Sequence, residues 1–212
     1  MKHLLIIGAR GYGREMYYHA RDSHGYGTEF DIKGFLDDKK DALIEFGDEY
    51  PSIIDSVEHY EIQKDDVFIT ALGDVNYKKK YSEIILNKGG EFINLIYKKI
   101  ILAKSVKIGK GCILCSDVGV SCDVELGDFV TLQRLVTIGH DSKIGSYTHF
   151  NFSSFMGGYA EVGDLSTVHP GAIILSHVKV GNNCIIVAGS VVIKKVKDNT
   201  TVYGNPAKVL KY

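Results

Sequence analysis

From Ile108 to Val192 every sixth residue is large and apolar: Ile108, Leu114, Val120, Leu126, Leu132, Ile138, Ile144, Phe150, Met156, Val162, Val168, Ile174, Val180, Ile186 and Val192. Four places after each of these, up to Ser190, stands a small or β-branched residue, as in Cys112, Val118, Ser142, Thr148, Ala160 and Cys184. A period of six matches neither the 3.6 of a helix nor the 3.5 of a coiled coil. It is the hexapeptide rhythm of a β-helix, in which each short repeat supplies one strand and one corner. Gly109, Gly127, Gly145, Gly163 and Gly181 add a second period of eighteen, or three sixes. One coil is therefore expected to hold three strands and three corners. The glycine is expected at a corner whose backbone angles it adopts without steric cost. Stacked coils would fill a narrow triangular interior with the large and small residues.

The first hundred residues have a different pattern. Leu4 to Ile7 reads as a buried strand, Gly8 to Gly13 as a turn, and Arg14 to Asp22 as a helix. Asp31 to Asp38 reads as a second strand ending in two acids, and Asp66 to Asp74 as a third with Gly73 at its end. Asn76 to Lys88 has helical character, and Glu91 to Tyr97 reads as a last strand leading into the coils. Strands alternating with helices predict a parallel sheet, with ligands at the carboxyl ends of its strands. The predicted organisation is thus an α/β Rossmann-like domain, 1–97, followed by an all-β parallel β-helix with a C-terminal tail, 98–212.

Composition narrows the function. With 45% hydrophobic residues and 24% charged ones, the 212-residue chain has the make-up of a globular protein. A formal net charge of -1 gives no footprint for nucleic acid or for a membrane surface. The opening apolar run is broken at Gly8, so no secretory leader and a cytoplasmic location are expected. In that setting the four cysteines are expected as thiols. Cys112 and Cys115 have the spacing of half a zinc site, but nothing completes it, and no metal is expected.

Two regions hold candidate chemistry. The loop GARGYG spaces its glycines as GxxGxG and not as the dinucleotide fingerprint GxGxxG, which weakens a nicotinamide reading without removing it. Gly8, Arg10, Gly11, Tyr12 and Gly13, the pair Asp37-Asp38 and the pair Gly73-Asp74 all fall at ends of adjacent predicted strands. Backbone amides at a helix start suit a phosphate, and carboxylates suit ribose hydroxyls or a base NH. The second region is VTIGHDSKIGSYTHF. Its His140 lies at a corner two residues after inward Ile138, and His149 directly precedes inward Phe150, so both are expected to point outward. Asp141 beside His140 would hold one imidazole nitrogen while the other accepts a proton. His169 and His177 read as surface groups. Lys194, Lys195 and Lys197 read as a solvated end, with coenzyme A phosphates as the alternative.

The motifs GARGYG, FLDD, ALGD, IGHDSKIG and GNPAK together resemble the sugar acyltransferases that join a Rossmann-like domain to a left-handed β-helix. This family includes the bacillosamine and perosamine pathway N-acetyltransferases and the sialic acid O-acetyltransferases. The handedness is taken from this resemblance. Departures from the family pattern are Tyr12, where a histidine is common, and Arg10, where a small residue is common. The resemblance implies a polysaccharide-pathway enzyme that moves the acetyl group of acetyl-CoA to the amine of a UDP- or dTDP-linked 4-amino-4,6-dideoxysugar. It makes His140 the general base and Asp141 its partner, and gives the substrate pocket to the N-terminal loop residues and acids. It also implies a homotrimer whose active sites lie between subunits. His140 and His149, half a coil apart, are expected on opposite flanks, so that His140 of one chain faces His149 of its neighbour, on the acetyl-CoA side; the bare backbone of Gly157 and Gly158, one coil beyond His140, would let a pantetheine arm lie close. An O-acetyltransferase acting on sialic acid, with Arg10 or Arg134 facing its carboxylate, stays open. So do a nicotinamide-dependent enzyme and a β-helix without catalysis.

Overall fold

The computed structural model describes residues 1–210. It divides into one compact unit, Met1–Lys98, and a second that begins at Lys99. The first unit holds β1 (Lys2–Ile7), α1 (Gly11–Arg21), β2 (Phe30–Leu36), a 3-10 turn (Ile44–Glu49), β3 (Ile53–Asp55), β4 (Asp66–Thr70), α2 (Val75–Asn87), β5 (Glu91–Phe92) and β6 (Leu95–Ile96). Strands β3-β2-β1-β4-β5 form one sheet, and every pairing in it is parallel. Leu4 to Ile7 and Val67 to Ile69 are buried, which explains their unbroken apolar runs: a central parallel strand is covered on both faces. The strand order reverses at β1, so the crevice opens at the carboxyl ends of β1 and β4.

Three elements differ from the sequence reading. The expected strand from Glu91 to Tyr97 is broken into β5 and β6, with the Ile93 N–H between them donating to Phe68 O. Strand β3 and the 3-10 turn were not anticipated. Strand β3 is three residues long, none of them fully buried, and it meets β2 across a register shift. So short and half-wet a strand leaves no alternation to read.

In the second unit two-residue strands run from Ile101–Leu102 to Val191–Val192. Up to Ile173–Ile174 each pairs in parallel with the strand eighteen residues on, as in Gly119↔Thr137, Thr137↔Phe155, Phe155↔Ile173 and Ile173↔Val191. The result is a three-faced parallel β-helix. Its repeat residues from Leu114 to Val192 are all buried, as are the small residues between them. Each large side chain taken from water contributes about 1.5–3 kcal/mol. Inward hydroxyls are satisfied in a repeating way: Ser142 Oγ donates to Gly157 O, Thr148 Oγ1 to Gly163 O and Ser166 Oγ to Gly181 O.

The eighteen-residue glycines have a different cause from the one expected. The left-handed corner residues are others, among them Asp123, Asp141, Tyr147, Tyr159 and His177, with φ between 56° and 63°. Their N–H groups donate to the preceding coil, as Asp141 to Cys122 O and Tyr159 to His140 O. Gly109, Gly127, Gly145, Gly163 and Gly181 are not among the positive-φ residues. They are required by stacking: a Cβ on Gly145 would stand 2.4 Å from Asp164 N, and one on Gly163 2.5 Å from Asn182 Oδ1. The space holds a ladder of side-chain oxygens. Ser146 Oγ accepts from Asp128 N, Asp164 Oδ1 from Ser146 N, Asn182 Oδ1 from Asp164 N, and Asp198 Oδ1 from Asn182 N.

Thr201–Tyr203 adds a strand beside Ile185–Ile186, and Lys208–Val209 turns back antiparallel to it. The GNPAK segment, 204–208, carries the turn between these two strands; residues 211 and 212 of the expected tail lie outside the described residues. No described helix is long and apolar enough to cross a membrane.

Candidate active site

In the N-terminal unit, a cleft of about 480 Å³ is lined by Gly8, Arg10, Tyr12, Gly13, Asp37, Asp38, Gly73 and Asp74, together with Tyr77 and Tyr81. Of the loop residues singled out in the sequence, only Gly11 is not on its wall; it begins α1. Gly8 (φ 96°) and Gly13 let strand and helix approach: a Cβ on Gly13 would stand 1.9 Å from Gly8 O.

The three acids do different things. Asp74 caps α2, its Oδ1 accepting from Asn76 N (2.8 Å) and Tyr77 N (3.0 Å). Asp37 ties the glycine loop to the end of β2. Its Oδ2 accepts from Ala9 N and its Oδ1 from Lys39 N, each at 2.9 Å, with Arg10 Nη2 3.8 Å away. Asp38 takes one hydrogen bond, from Tyr81 Oη at 3.1 Å, and remains exposed. Burial, and then that hydrogen bond, push the Tyr81 phenol up to about 12. Asp38 therefore keeps acceptor capacity, as does the Oδ2 of exposed Asp74, and Arg10, whose side chain is 71% exposed, is the cation on the cleft wall. Tyr77 and Tyr81 were missed in the sequence reading; their i,i+4 spacing at the start of α2 is the signal that pairs them. Their rings stack at 6.3 Å with 20° between planes.

In the β-helix, His140 and Asp141 occupy one corner. His140 Nδ1 lies 2.8 Å from Asp141 Oδ2, and both side chains are partly exposed. A carboxylate accepts only, so Nδ1 carries the hydrogen and Nε2 presents its lone pair. Asp141 reaches back to its neighbour from the left-handed conformation, φ 56°, which Asp tolerates better than most residues. Gly158, one coil on, lies against the imidazole: a Cβ there would stand 2.8 Å from Nε2. Gly157 serves the stack instead, a Cβ on it meeting Ser176 N at 2.6 Å.

His149 corrects the sequence reading. It faces away from the coil interior, between Thr131 and Thr167 on the same face, yet it is fully buried. Its Nε2 is 3.0 Å from the Gln133 side-chain nitrogen. It is not a solvated group, so it offers no exposed ring for His140 of a neighbouring subunit to face. His177, read as plain surface, stacks on Tyr159 with centroids 5.0 Å apart and 6° between planes. Cys112, Cys115 and Cys184 are buried and Cys122 is exposed, and none of the four is in a disulfide. No group of three metal-ligating side chains occurs among the described residues.

Residues 3–85 match the PglD N-terminal domain, and residues 159–194 match the bacterial transferase hexapeptide (six repeats). The GDP-perosamine N-acetyltransferase of Escherichia coli O157:H7 is 28% identical over 149 residues, covering 68% of this chain and 67% of that protein. A UDP-3-O-acylglucosamine N-acyltransferase of Albidiferax ferrireducens is 33% identical over 86 residues, covering 39% of this chain and 26% of that one. The acetyltransferase domain of PglB from Neisseria gonorrhoeae, solved with acetyl coenzyme A, superposes with a TM-score of 0.89 at 25% identity, covering 99% of each chain. PerB of Caulobacter crescentus, solved with CoA and GDP-perosamine, shares the fold at a TM-score of 0.89 and 21% identity, over 100% of this chain and 98% of that one. In the order of its two domains, in both matched families and in its full-length structural likenesses, the chain is similar to the sugar acyltransferases that join a PglD-type N-terminal domain to a hexapeptide β-helix.

Proposed function

We propose that this protein transfers the acetyl group of acetyl-CoA to the amine of a nucleotide-linked amino sugar. The observation that carries this reading is the His140–Asp141 pair, held at a β-helix corner with Nε2 over the bare backbone of Gly158. The nucleotide belongs to the N-terminal cleft. There the α1 amino end and Arg10 suit its phosphates, and Asp38 with Tyr81 suits a ribose hydroxyl or a base NH. Relatives named for a GDP-sugar and for a UDP-sugar both support the substrate class, and the base stays unassigned.

The acceptor nitrogen attacks the thioester carbonyl, and His140 Nε2 takes the proton that this nitrogen sheds. Asp141 stabilises the imidazolium. A backbone N–H at the oxyanion contributes about 3 kcal/mol. The carbon–sulfur bond then breaks, and the coenzyme A thiolate leaves and takes up a proton. Cys112 and Cys184 are inside the coils, so no acyl-enzyme step is assigned to them. His149, buried against Gln133, is given no role toward the acyl donor.

The functional unit in this reading is a homotrimer. It is supported by an apolar face of register neighbours Phe155, Ile173 and Val191, flanked by Leu175 and Ile193, on the sheet that leads into the His140 corner. Light scattering is expected to give three times the chain mass; a monomer at assay concentration contradicts it.

Coenzyme A release tests the substrate class across UDP-, dTDP-, GDP- and CMP-linked amino sugars and the free sugars. Turnover is expected only with a nucleotide attached. Asp38→Ala is expected to raise KM for the sugar nucleotide about tenfold, the worth of a hydrogen bond to a charged group, and to leave KM for acetyl-CoA in place. Equal shifts in both constants contradict a nucleotide site there.

A further inference from the structure

The His140 imidazole has a wall that the Asp141 hydrogen bond does not supply. One bond to Nδ1 leaves the ring free to swing, because χ2 of histidine has only broad minima. Gly158 limits that swing on one side. The Tyr159 ring meets His140 edge-on, with centroids 5.2 Å apart and 87° between planes. This is a favoured aromatic arrangement. Tyr159 is itself pinned from behind by its stack on His177. The backbone locks the three rings in sequence: Tyr159 N donates to His140 O, and His177 N donates to Gly158 O.

Stability does not explain this tyrosine. It is 49% exposed and adopts φ 59°, a conformation that costs a bulky side chain more than it costs Asn, Asp or Gly. The equivalent corner residues one and two coils earlier are Asp141 and Asp123, which bear the same conformation more cheaply. Phe129 and Tyr147 also stack at a corner, but there the Phe129 ring is buried and its packing accounts for it.

We infer that Tyr159, backed by His177, is a positioning residue for His140, fixing the imidazole so that Nε2 addresses the acceptor. This rests on the proposed role of His140 as base. Misplacement of a reacting group by about 1 Å costs up to about a hundredfold in rate.

The test measures kcat and both KM values for Tyr159→Ala, Tyr159→Phe and His177→Ala, and follows the His140 ring protons by NMR. Tyr159→Ala is expected to lower kcat roughly tenfold with both KM values within about twofold, and to abolish the ring-current shift on His140. Tyr159→Phe, which keeps the ring, is expected to recover most of the lost kcat. His177→Ala is expected to give a smaller loss of the same kind. The inference is overturned by an unchanged kcat in Tyr159→Ala, by a loss confined to a raised KM for acetyl-CoA, or by failure of the phenylalanine to recover activity. Failure of the base assignment is separable, because it shows as full activity in His140→Ala whatever the NMR shift reports about the wall.

Discussion

His140→Ala is expected to lower kcat at least about a hundredfold, the usual contribution of a positioned general base, with little change in KM for either substrate. The side chain is half exposed and makes its one polar contact with the adjacent Asp141, so the β-helix should melt as before. His140→Asn keeps a polar group but no base and is expected to match the alanine variant. Asp141→Asn leaves Nδ1 without an anionic acceptor and should also lower kcat, by a smaller factor. Steady-state kinetics beside a thermal melt check all three. Near-normal kcat at neutral pH in either His140 variant removes it as the base.

The largest expected change in stability lies far from this chemistry. Asp66, at the start of β4, has a buried carboxylate. Its Oδ1 accepts from Lys33 Nζ at 2.7 Å, and its Oδ2 from Tyr60 Oη at 2.6 Å and Gln63 N at 2.7 Å. Burial pushes the carboxyl upward, but these bonds prevail and hold it below the ordinary carboxylate range; Lys33 is held above the ordinary lysine value. A depressed acid contributes stability above its unfolded value and loses it as pH falls through the folded one. A raised base contributes below its unfolded value and loses its share as pH rises through the folded one. The pair is thus fully effective from pH about 5 to about 9, and weakens below pH about 4 and above about 10. Asp66→Ala leaves a partly buried ammonium and a buried phenol without their acceptor, and is expected to cost about 3–5 kcal/mol. Tyr60→Phe removes one hydrogen bond and should cost about 1 kcal/mol. Denaturant unfolding followed through the N-terminal unit measures both, and an Asp66→Ala midpoint at the wild-type position contradicts the account.

Much of this was legible in the sequence. The six-residue period places each inward side chain, because a coil of two-residue strands has no freedom to slip. Three strand ends could be brought to one cleft from periodicity and the parallel-sheet rule. What escaped depends on contacts between segments distant in sequence. The eighteen-residue glycines look like turn residues, but Gly145 is needed because the next coil passes too close for a Cβ. That Asp74, on the cleft wall, also caps α2 depends on where that helix begins. Alternation correctly turns His149 away from the coil interior, but it cannot report that this side of the coil is covered. The wall made by Tyr159 and His177 arises because residues eighteen apart become neighbours.

The product of the reaction tests the central claim most directly. Acetyl-CoA and a nucleotide-linked 4-amino sugar are incubated with the protein, and the acetylated product is isolated and held at mildly alkaline pH. Transfer to nitrogen predicts an acetyl group that stays in place as an amide, formed at a rate that climbs with pH as the acceptor ammonium deprotonates. Release of acetate as from an ester, or acetylation of an acceptor that carries no amine, contradicts the account.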